Sequence, residues 1–391
     1  MAYIIFGDSF TFPDGGAATN RVYTYGKGFS ENGKRVYIIC FRNDYLDHIS
    51  GETDGIKYFH PFGQQKRNSN FIIRRWLKFI KYVKTYNLVK ELDREEHIEA
   101  LIVYSENLKT QFVAFYLARV YHTKIIVERS EHPFRNIHKN ILKLINKNLR
   151  IISEKGIYDG MFCISNFLSD FYIGKGFLKQ KILLVPSTVD AERFNVQYNQ
   201  HLPFNYIAYC GSLTSLKDGV DILIESFSII TAKYTDLHLV LIGKADFAKD
   251  EVFFRDLSSK LNISDRVLFT GKLPRNDIPA YLCNAKILAL ARPSSIVADA
   301  GFPSKVTEYL ATGKPVITTR VGEMPVYLKD NENAFLSEPD SSKLFAEKIE
   351  YVLSNYEFAM QVGKKGKELT KTIFNYNYQT KRMIAFIDSL C

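Results

Sequence analysis

The chain has 391 residues, 46% of them hydrophobic and 24% charged, with a formal net charge of +10. That length exceeds one ordinary hydrophobic core and points to two domains of ordinary globular composition. The charge calls for an anionic partner, and nucleic acid, an anionic membrane surface and an anionic substrate all qualify. No apolar run is long enough to span a bilayer. The stretch Met1–Phe6 is ended too soon by Gly7 and Asp8 to read as a signal sequence. The five cysteines (Cys40, Cys163, Cys210, Cys283 and Cys391) show no metal-ligand spacing and read as buried, reduced thiols. The expected location is therefore cytoplasmic.

Taken in chain order, Tyr3–Phe6 is a first strand, followed by the loop PDGGAATNR and a helix toward Asn32 that Gly33 ends. Arg35–Phe41 is the next strand. Lys66–Lys90 then interleaves Lys66, Arg67, Arg74, Arg75, Lys78, Lys81, Lys84 and Lys90 with Phe71, Ile72, Ile73, Trp76, Leu77, Phe79, Ile80, Tyr82 and Val83. Such a pattern suits either a helix lying on an anionic membrane surface or a core-packed helix with a solvated basic face. Nucleic acid is not expected, because no nucleic-acid motif accompanies the charge. Strands follow at Ala100–Ser105 and Lys124–Glu131, with a helix over 109–122 between them. A second basic stretch, His138–Lys155, carries Lys139, Lys143, Lys147 and Arg150 among Ile and Leu. Met161–Ser165 and Lys181–Ser187 complete a first sheet, and Ser165 reads as a helix cap before Phe167. Asp190–Pro203 is polar and irregular and reads as a linker. A second half opens with Tyr206–Leu213 and a helix over 219–234, followed by strands at Leu237–Gly243, Val267–Gly271, Ile287–Arg292 and Val316–Thr319. Short apolar runs alternating with helices imply parallel sheets covered on both faces. The fold class is thus α/β, with two Rossmann-like doubly wound domains and a ligand site at the C-terminal strand ends.

The richest stretch is GFPSKVTEYLATGKPV, residues 301–316. Gly301 and Pro303 mark a loop, Ser304 stands at the N-cap or first turn of a helix, and Gly313 with Pro315 closes that helix. A helix start after a flexible turn attracts phosphate, with roughly 0.3–1 kcal/mol from the dipole alone. Lys305 in the first turn adds a cation, and Glu308 lies three residues on, along much the same face. A carboxylate there suits both hydroxyls of a ribose, so the segment reads as a nucleotide-sugar site.

The same segment resembles the donor-binding segment of retaining family 4 glycosyltransferases of the GT-B fold, in a variant branch with a Pro-Ser-Lys donor turn. Such enzymes usually carry a Glu, seven residues and a second Glu before a small-residue turn and a Pro-Val strand. Glu308 matches the second Glu, which in the family holds the ribose. The first falls on Ala300, and Asp299 takes its place only if the loop shifts by one residue. The resemblance implies domains over 1–188 and 189–370, acceptor side and donor side in turn, with 371–391 packing back onto the first. It implies a donor site of Gly15, Gly16, Gly211, Ser212, Lys217, Gly271, Leu273, Gly301, Phe302, Pro303, Ser304, Lys305 and Glu308. Lys217 and Lys305 would neutralise the leaving diphosphate, and His132 would touch the sugar, giving His132, Lys217 and Lys305 catalytic roles. Asn20, Arg21 and Glu131 fall on the acceptor side, with Glu128 an alternative to Glu131.

No Asp-x-Asp run argues for a metal ion, so neither metal nor other cofactor is expected beyond the nucleotide-diphosphate sugar as co-substrate. The expected activity is metal-independent, retaining sugar transfer to a hydroxyl of a saccharide or lipid-linked saccharide, in surface polysaccharide biosynthesis. The expected setting is the cytoplasm, peripheral at the inner face of the membrane through Lys66–Lys90. Two other readings stay open: a nucleotide-sugar epimerase of the same fold, and a non-catalytic partner subunit.

Overall fold

The structure, a computed structural model, describes residues 1–133, 141–195 and 202–390. It divides into two compact units, Met1–Thr188 with Tyr376–Cys391, and Val189–Asn375.

The first unit is built on strands β1 (Ala2–Gly7), β2 (Arg35–Cys40), β3 (Ser50–Thr53), β4 (Ile56–Phe59), β5 (Ile98–Tyr104), β6 (Lys124–Arg129), β7 (Gly160–Cys163) and β8 (Ile182–Leu184). Among the described residues they lie in the order β3-β4-β2-β1-β5-β6-β7-β8. Every neighbour pair is parallel except β3 and β4. β1 sits at the centre, with Ile4 paired to Tyr37 on one side and Leu101 on the other. All six of its residues are buried, as an unbroken apolar run in a parallel sheet requires. The antiparallel β3–β4 hairpin turns at Asp54 (φ 50°) and Gly55 (φ 74°), both in the left-handed region that favours Asp-Gly in two-residue turns. The sequence reading passed over this hairpin, although its Asp-Gly signal was there. Helices α1 (Ala17–Glu31), α2 (Phe71–Glu95), α3 (Leu108–Val120), α4 (Ile141–Ile157) and α5 (Asn166–Gly174) link these strands. The C-terminal helix Tyr376–Ser389 docks on α1, where Tyr376 donates to Glu31 Oε1 at 2.7 Å and Met383 and Ile387 join the core with Tyr3 and Phe29.

The second unit holds β9 (Asn205–Cys210), β10 (Leu237–Ile242), β11 (Val267–Gly271), β12 (Ile287–Leu290), β13 (Val316–Thr319) and β14 (Phe335–Ser337). Their order is β11-β10-β9-β12-β13-β14, parallel throughout. Winding outward from β9 in both directions puts the topological switch point between β9 and β12, where doubly wound folds bind ligands. The helices that matter below are α6 (Ser215–Asp218), α7 (Val220–Ile230), α8 (Ala248–Lys260), α9 (Ile278–Asn284), α10 (Ile296–Ala300) and α11 (Ser304–Thr312).

The chain returns to the first unit at Tyr376, five residues after the expected Lys371. A backbone bond and ring packing hold the preceding segment to the second unit: Val189 N–H donates to Phe374 O at 3.0 Å, and the Phe374 ring stacks on Phe302 with centroids 5.2 Å apart. The reading of Asp190–Pro203 as a bare linker also needs correction. Ala191–Phe194 forms a 3-10 turn of the second unit, with Asp190 and Phe194 buried; residues 196–201 lie outside the described residues.

Candidate functional site

In the second unit the C-terminal strand ends converge on Gly211, the residue after β9. Its φ of +155° is one that L side chains rarely adopt, and a Cβ there would stand 2.7 Å from the Lys305 ammonium. The β9 end is tied to α11, since the Cys210 N–H donates to the Tyr309 hydroxyl at 2.7 Å. Gly219, between α6 and α7, has φ +64°, and a Cβ on it would meet Ala291 O at 1.9 Å. Both glycines therefore let α6 and the β9 turn close onto the ends of β12 and α11.

Helix α11 starts at Ser304, which takes the first turn rather than the N-cap; Pro303 is in the N-cap position and there is no side-chain cap. Val306, Thr307, Tyr309, Leu310 and Ala311 face the core, and Gly313 ends the helix in the left-handed region at φ 74°. The opposite flank carries Lys305 and Glu308, both only half-buried. An uncapped first turn of nine-residue α11 leaves N–H groups and the positive dipole end for an anion.

Lys305 is paired within the unit. Its ammonium lies 2.8 Å from the Asp218 carboxylate, donates to the Tyr209 hydroxyl at 3.0 Å, and sits 4.8 Å from the Tyr209 ring centre. Burial disfavours both charges. For Lys305 it outweighs the attraction of Asp218 and pulls the ammonium down; for Asp218 it is outweighed by Lys305, Arg292 and Lys217, which hold the carboxyl below its ordinary value. The basic cluster thus includes a residue the sequence reading did not select, Arg292, just after β12. Arg292 is buried, donates to Val297 O at 2.8 Å, and has its Nε unpartnered. Burial brings its guanidinium down, opposed by Asp218, Tyr209 and Asp299. The run ILALARP placed it at a strand end, but nothing in that run marked the residue as functional.

Glu308 faces Arg193 of the 3-10 turn, Nη1 to Oε1 3.6 Å, and Arg193 also donates to Arg275 O at 2.9 Å. Burial raises the Glu308 carboxyl, opposed by Arg193, Arg275 and Lys305. Arg193 was hidden from the sequence reading inside the expected linker. Ala300 is fully buried, whereas Asp299 beside it in α10 is partly exposed and electrostatically close to Arg292. Phe302 is buried against Phe374 and Tyr327 and acts through packing. Gly301 and Pro303 are half-buried beside it, Ser212 and Lys217 are exposed on the β9 turn and α6, and Gly271 (φ +70°) and Leu273 stand half-buried at the β11 end. Among the described residues no group of three or more His, Cys, Asp or Glu is placed to hold a metal ion.

The first unit has its own strand-end loop, described separately. Gly15 and Gly16 are exposed after β1, with Gly16 at the uncapped start of α1 and Asn20 N–H donating to Gly16 O at 3.1 Å. Arg21, expected on the acceptor side, is instead buried. Its Nε meets Glu128 Oε1 at 2.8 Å, and its two terminal nitrogens donate to Pro186 O and Val185 O at 3.0 and 2.7 Å. Charge pairing of this kind turns both residues inward, which removes Glu128 as an acceptor ligand as well. His132 is only 5% exposed, its ring held edge-on between Phe167 and Phe171 at 5.8 and 5.1 Å. Glu131 beside it is half-buried. Ser165 caps α5, accepting from Leu168 N–H at 3.1 Å. Of the second basic stretch, Arg150 is buried against Glu154 at 3.2 Å, while His138, Lys139 and the side chains of Lys143 and Lys147 lie outside the described residues.

Two doubly wound units of this kind define the GT-B class. Sucrose-phosphate synthase from Thermosynechococcus elongatus superposes over 100% of this chain and 99% of its own, with TM-score 0.74 and 18% identity. Anabaena HepE, solved in complex with UDP-glucose, covers 100% of both chains at TM-score 0.71 and 14% identity. At those identities the likeness shows the fold. Residues 190–369, nearly the whole second unit, match the family described as glycosyl transferases group 1. An uncharacterized glycosyltransferase, MJ1178 of Methanocaldococcus jannaschii, is 26% identical over 54% of this chain and 55% of its own length. The amylovoran biosynthesis glycosyltransferase AmsK of Erwinia amylovora is 22% identical over 58% and 55%. The chain spans about half the length of these curated relatives. The group 1 glycosyl transferase match thus lies within the second unit, and the structural likeness shows the GT-B fold.

Proposed function

We propose that the protein is a retaining, metal-independent glycosyltransferase that moves a sugar from a nucleotide-diphosphate donor to a hydroxyl of a saccharide or lipid-linked saccharide, in surface polysaccharide biosynthesis. The observation that carries this reading is the cluster at the second unit's switch point: Lys305 and Asp218 paired at 2.8 Å beside Gly211, with Glu308 on the next turn of α11. The α11 N-terminus and Lys305 would receive the diphosphate, with Lys217 and the buried Arg292 adding positive potential. Glu308 would accept from the ribose hydroxyls, with Arg193 holding its carboxylate in place. Amylovoran biosynthesis, named for one relative, suits the polysaccharide setting.

In the reaction, the bond from the anomeric carbon to the leaving phosphate oxygen breaks while a bond to the acceptor oxygen forms on the same face. The acceptor proton passes to the departing phosphate oxygen. The protein's part is to position both partners and to stabilise the charge that grows on the diphosphate.

Thermal unfolding with a panel of UDP- and GDP-sugars tests the reading on wild type and Glu308→Ala. A ligand at 100 times its Kd stabilises by about 2.7 kcal/mol. A shift with one diphosphate family, absent in the variant and unchanged by EDTA, is the expected result. No shift with any nucleotide overturns it in favour of a non-catalytic partner.

A further inference from the structure

Helix α2 is built inside out. Its inward face, spaced i, i+4, i+8, i+11, carries Lys81, Thr85, Val89 and Leu92, with the Lys81 ammonium buried against Phe41 O at 3.2 Å and Asn43 at 2.9 Å. The opposite face, spaced i, i+4, i+7, i+11, carries Ile72, Trp76, Phe79 and Val83. These side chains point into solvent: Ile72 is 75% exposed, Trp76 60% and Phe79 58%, with Trp76 and Phe79 stacked on each other at 5.7 Å. The stripe continues onto α3, where Phe112, Tyr116 and Val120 are exposed at i, i+4, i+8, and Tyr86 bridges the helices with its ring 6.4 Å from Tyr116. Single exposed apolar residues are ordinary, but a contiguous stripe of this kind marks a binding surface.

Its surroundings say what binds. Lys66, Arg67, Arg75, Lys78, Lys84 and Lys90 are exposed beside the stripe, and no acidic residue occurs between Gly55 and Lys90. A second copy of the chain would bring the same cations face to face, which opposes an isologous dimer. Aromatic and aliphatic side chains ringed by Lys and Arg fit the headgroup–acyl boundary of an anionic leaflet, the rings entering it and the cations meeting phosphate. Among the described residues no helix is long and apolar enough to cross a membrane, so the attachment would be peripheral. We infer that the α2–α3 face, centred on Trp76 and Phe79, is a docking surface for an anionic bilayer. The inference stands on this face alone and does not depend on the donor site.

Trp76 is the only tryptophan of the chain, so intrinsic fluorescence reports on this face directly. The full chain is mixed with vesicles of phosphatidylglycerol and phosphatidylcholine, or of phosphatidylcholine alone, and followed by Trp emission and co-sedimentation. A blue shift and pelleting with the anionic vesicles only, both reduced by added salt, are expected. Arg75→Glu and Lys78→Glu should each weaken partition at least fivefold, since a cation near an anionic surface contributes about 1 kcal/mol. Ile72→Ser/Phe79→Ser should weaken it further while leaving the thermal midpoint in place, since the altered side chains are exposed. Failure to pellet with anionic vesicles overturns the proposal. So does a Trp76 shift that appears with protein concentration in the absence of lipid, which would mark the stripe as a contact between copies.

Discussion

The two units both bury charge, and they do so in opposite ways. In the first, Arg21 and Glu128 pair at 2.8 Å with 5% and 1% of their side chains exposed, and Tyr25 and two carbonyls take up further bonds. Arg129, Glu154 and Arg150 form a second buried network, Glu154 meeting both arginines while Arg129 Nε, Arg150 Nε and Glu154 Oε2 stay without a hydrogen-bond partner among the described residues. In the second unit, Arg193 and Glu308 stand 3.6 Å apart with 16% and 14% exposed, and Lys305 keeps 15% exposed over a buried Asp218. The Arg21–Glu128 pair, with each side-chain nitrogen and oxygen bonded within the protein, is closed and holds the fold. The pairs of the second unit are looser and keep a solvent-facing side. Burial sets the cost in both cases, and under the proposed function the looser pair would share it with the donor.

The largest effect expected from breaking this contrast is on the closed side. Arg21→Ala leaves Glu128 charged and unpaired in the core, and should cost about 3–5 kcal/mol in denaturant unfolding. If the loss stays near the value of an exposed pair, the first unit's network is not structural.

Lys305→Ala comes next, and its readout is kinetic. Removing one preorganised group that stabilises developing charge should lower kcat by roughly 10²–10³ once donor and acceptor are known. It also strands Asp218, so Asp218→Asn in the same background should restore stability without restoring activity. Recovery of both would make the pair structural, like those of the first unit.

Glu308→Ala should remove the stabilisation given by a nucleotide-sugar, a loss of about 1.5–3 kcal/mol for a charge-assisted pair, or roughly tenfold to a hundredfold in Kd. The apo protein should not be weakened. A large loss of apo stability with donor binding intact would place Glu308 among the closed pairs.

The smallest effect is a pH dependence. Burial raises the Glu308 carboxyl above its ordinary value. A raised carboxyl contributes stability that is present below the unfolded value and lost as pH rises through the folded one. Apo Glu308→Gln should therefore equal wild type in acid and become slightly the more stable as pH rises past that folded value. Paired thermal scans without ligand from pH 4 to 8 would show it; a variant less stable at neutral pH would mean that Arg193 dominates.

Legibility in the sequence followed the range of the interactions. Strands such as Tyr3–Phe6 and Leu237–Gly243 were readable because burial on both faces demands an unbroken apolar run, and they match β1 and β10 to within a residue or two. The α11 segment was readable because a turn, a helix start and a stop lie within sixteen residues. β14, three residues long, carries too little pattern to be seen. Arg193 and Arg292 escaped because their meaning lies in partners far along the chain, and Arg21 was misplaced because its loop looked functional while its side chain turned inward to Glu128.

The sequence by itself determined the alternation of strands and helices, the position of the donor-like segment and the unusual basic-aromatic run at Lys66–Lys90, since each is a local pattern of residue types. Only the tertiary structure decided which charges meet. It set Asp218 against Lys305, turned Arg21 to Glu128, and faced Lys81 inward so that Trp76 faces out. The reason is physical: periodicity is written in neighbours three or four residues apart, whereas the energy of a charge depends on burial and on partners that folding brings from elsewhere.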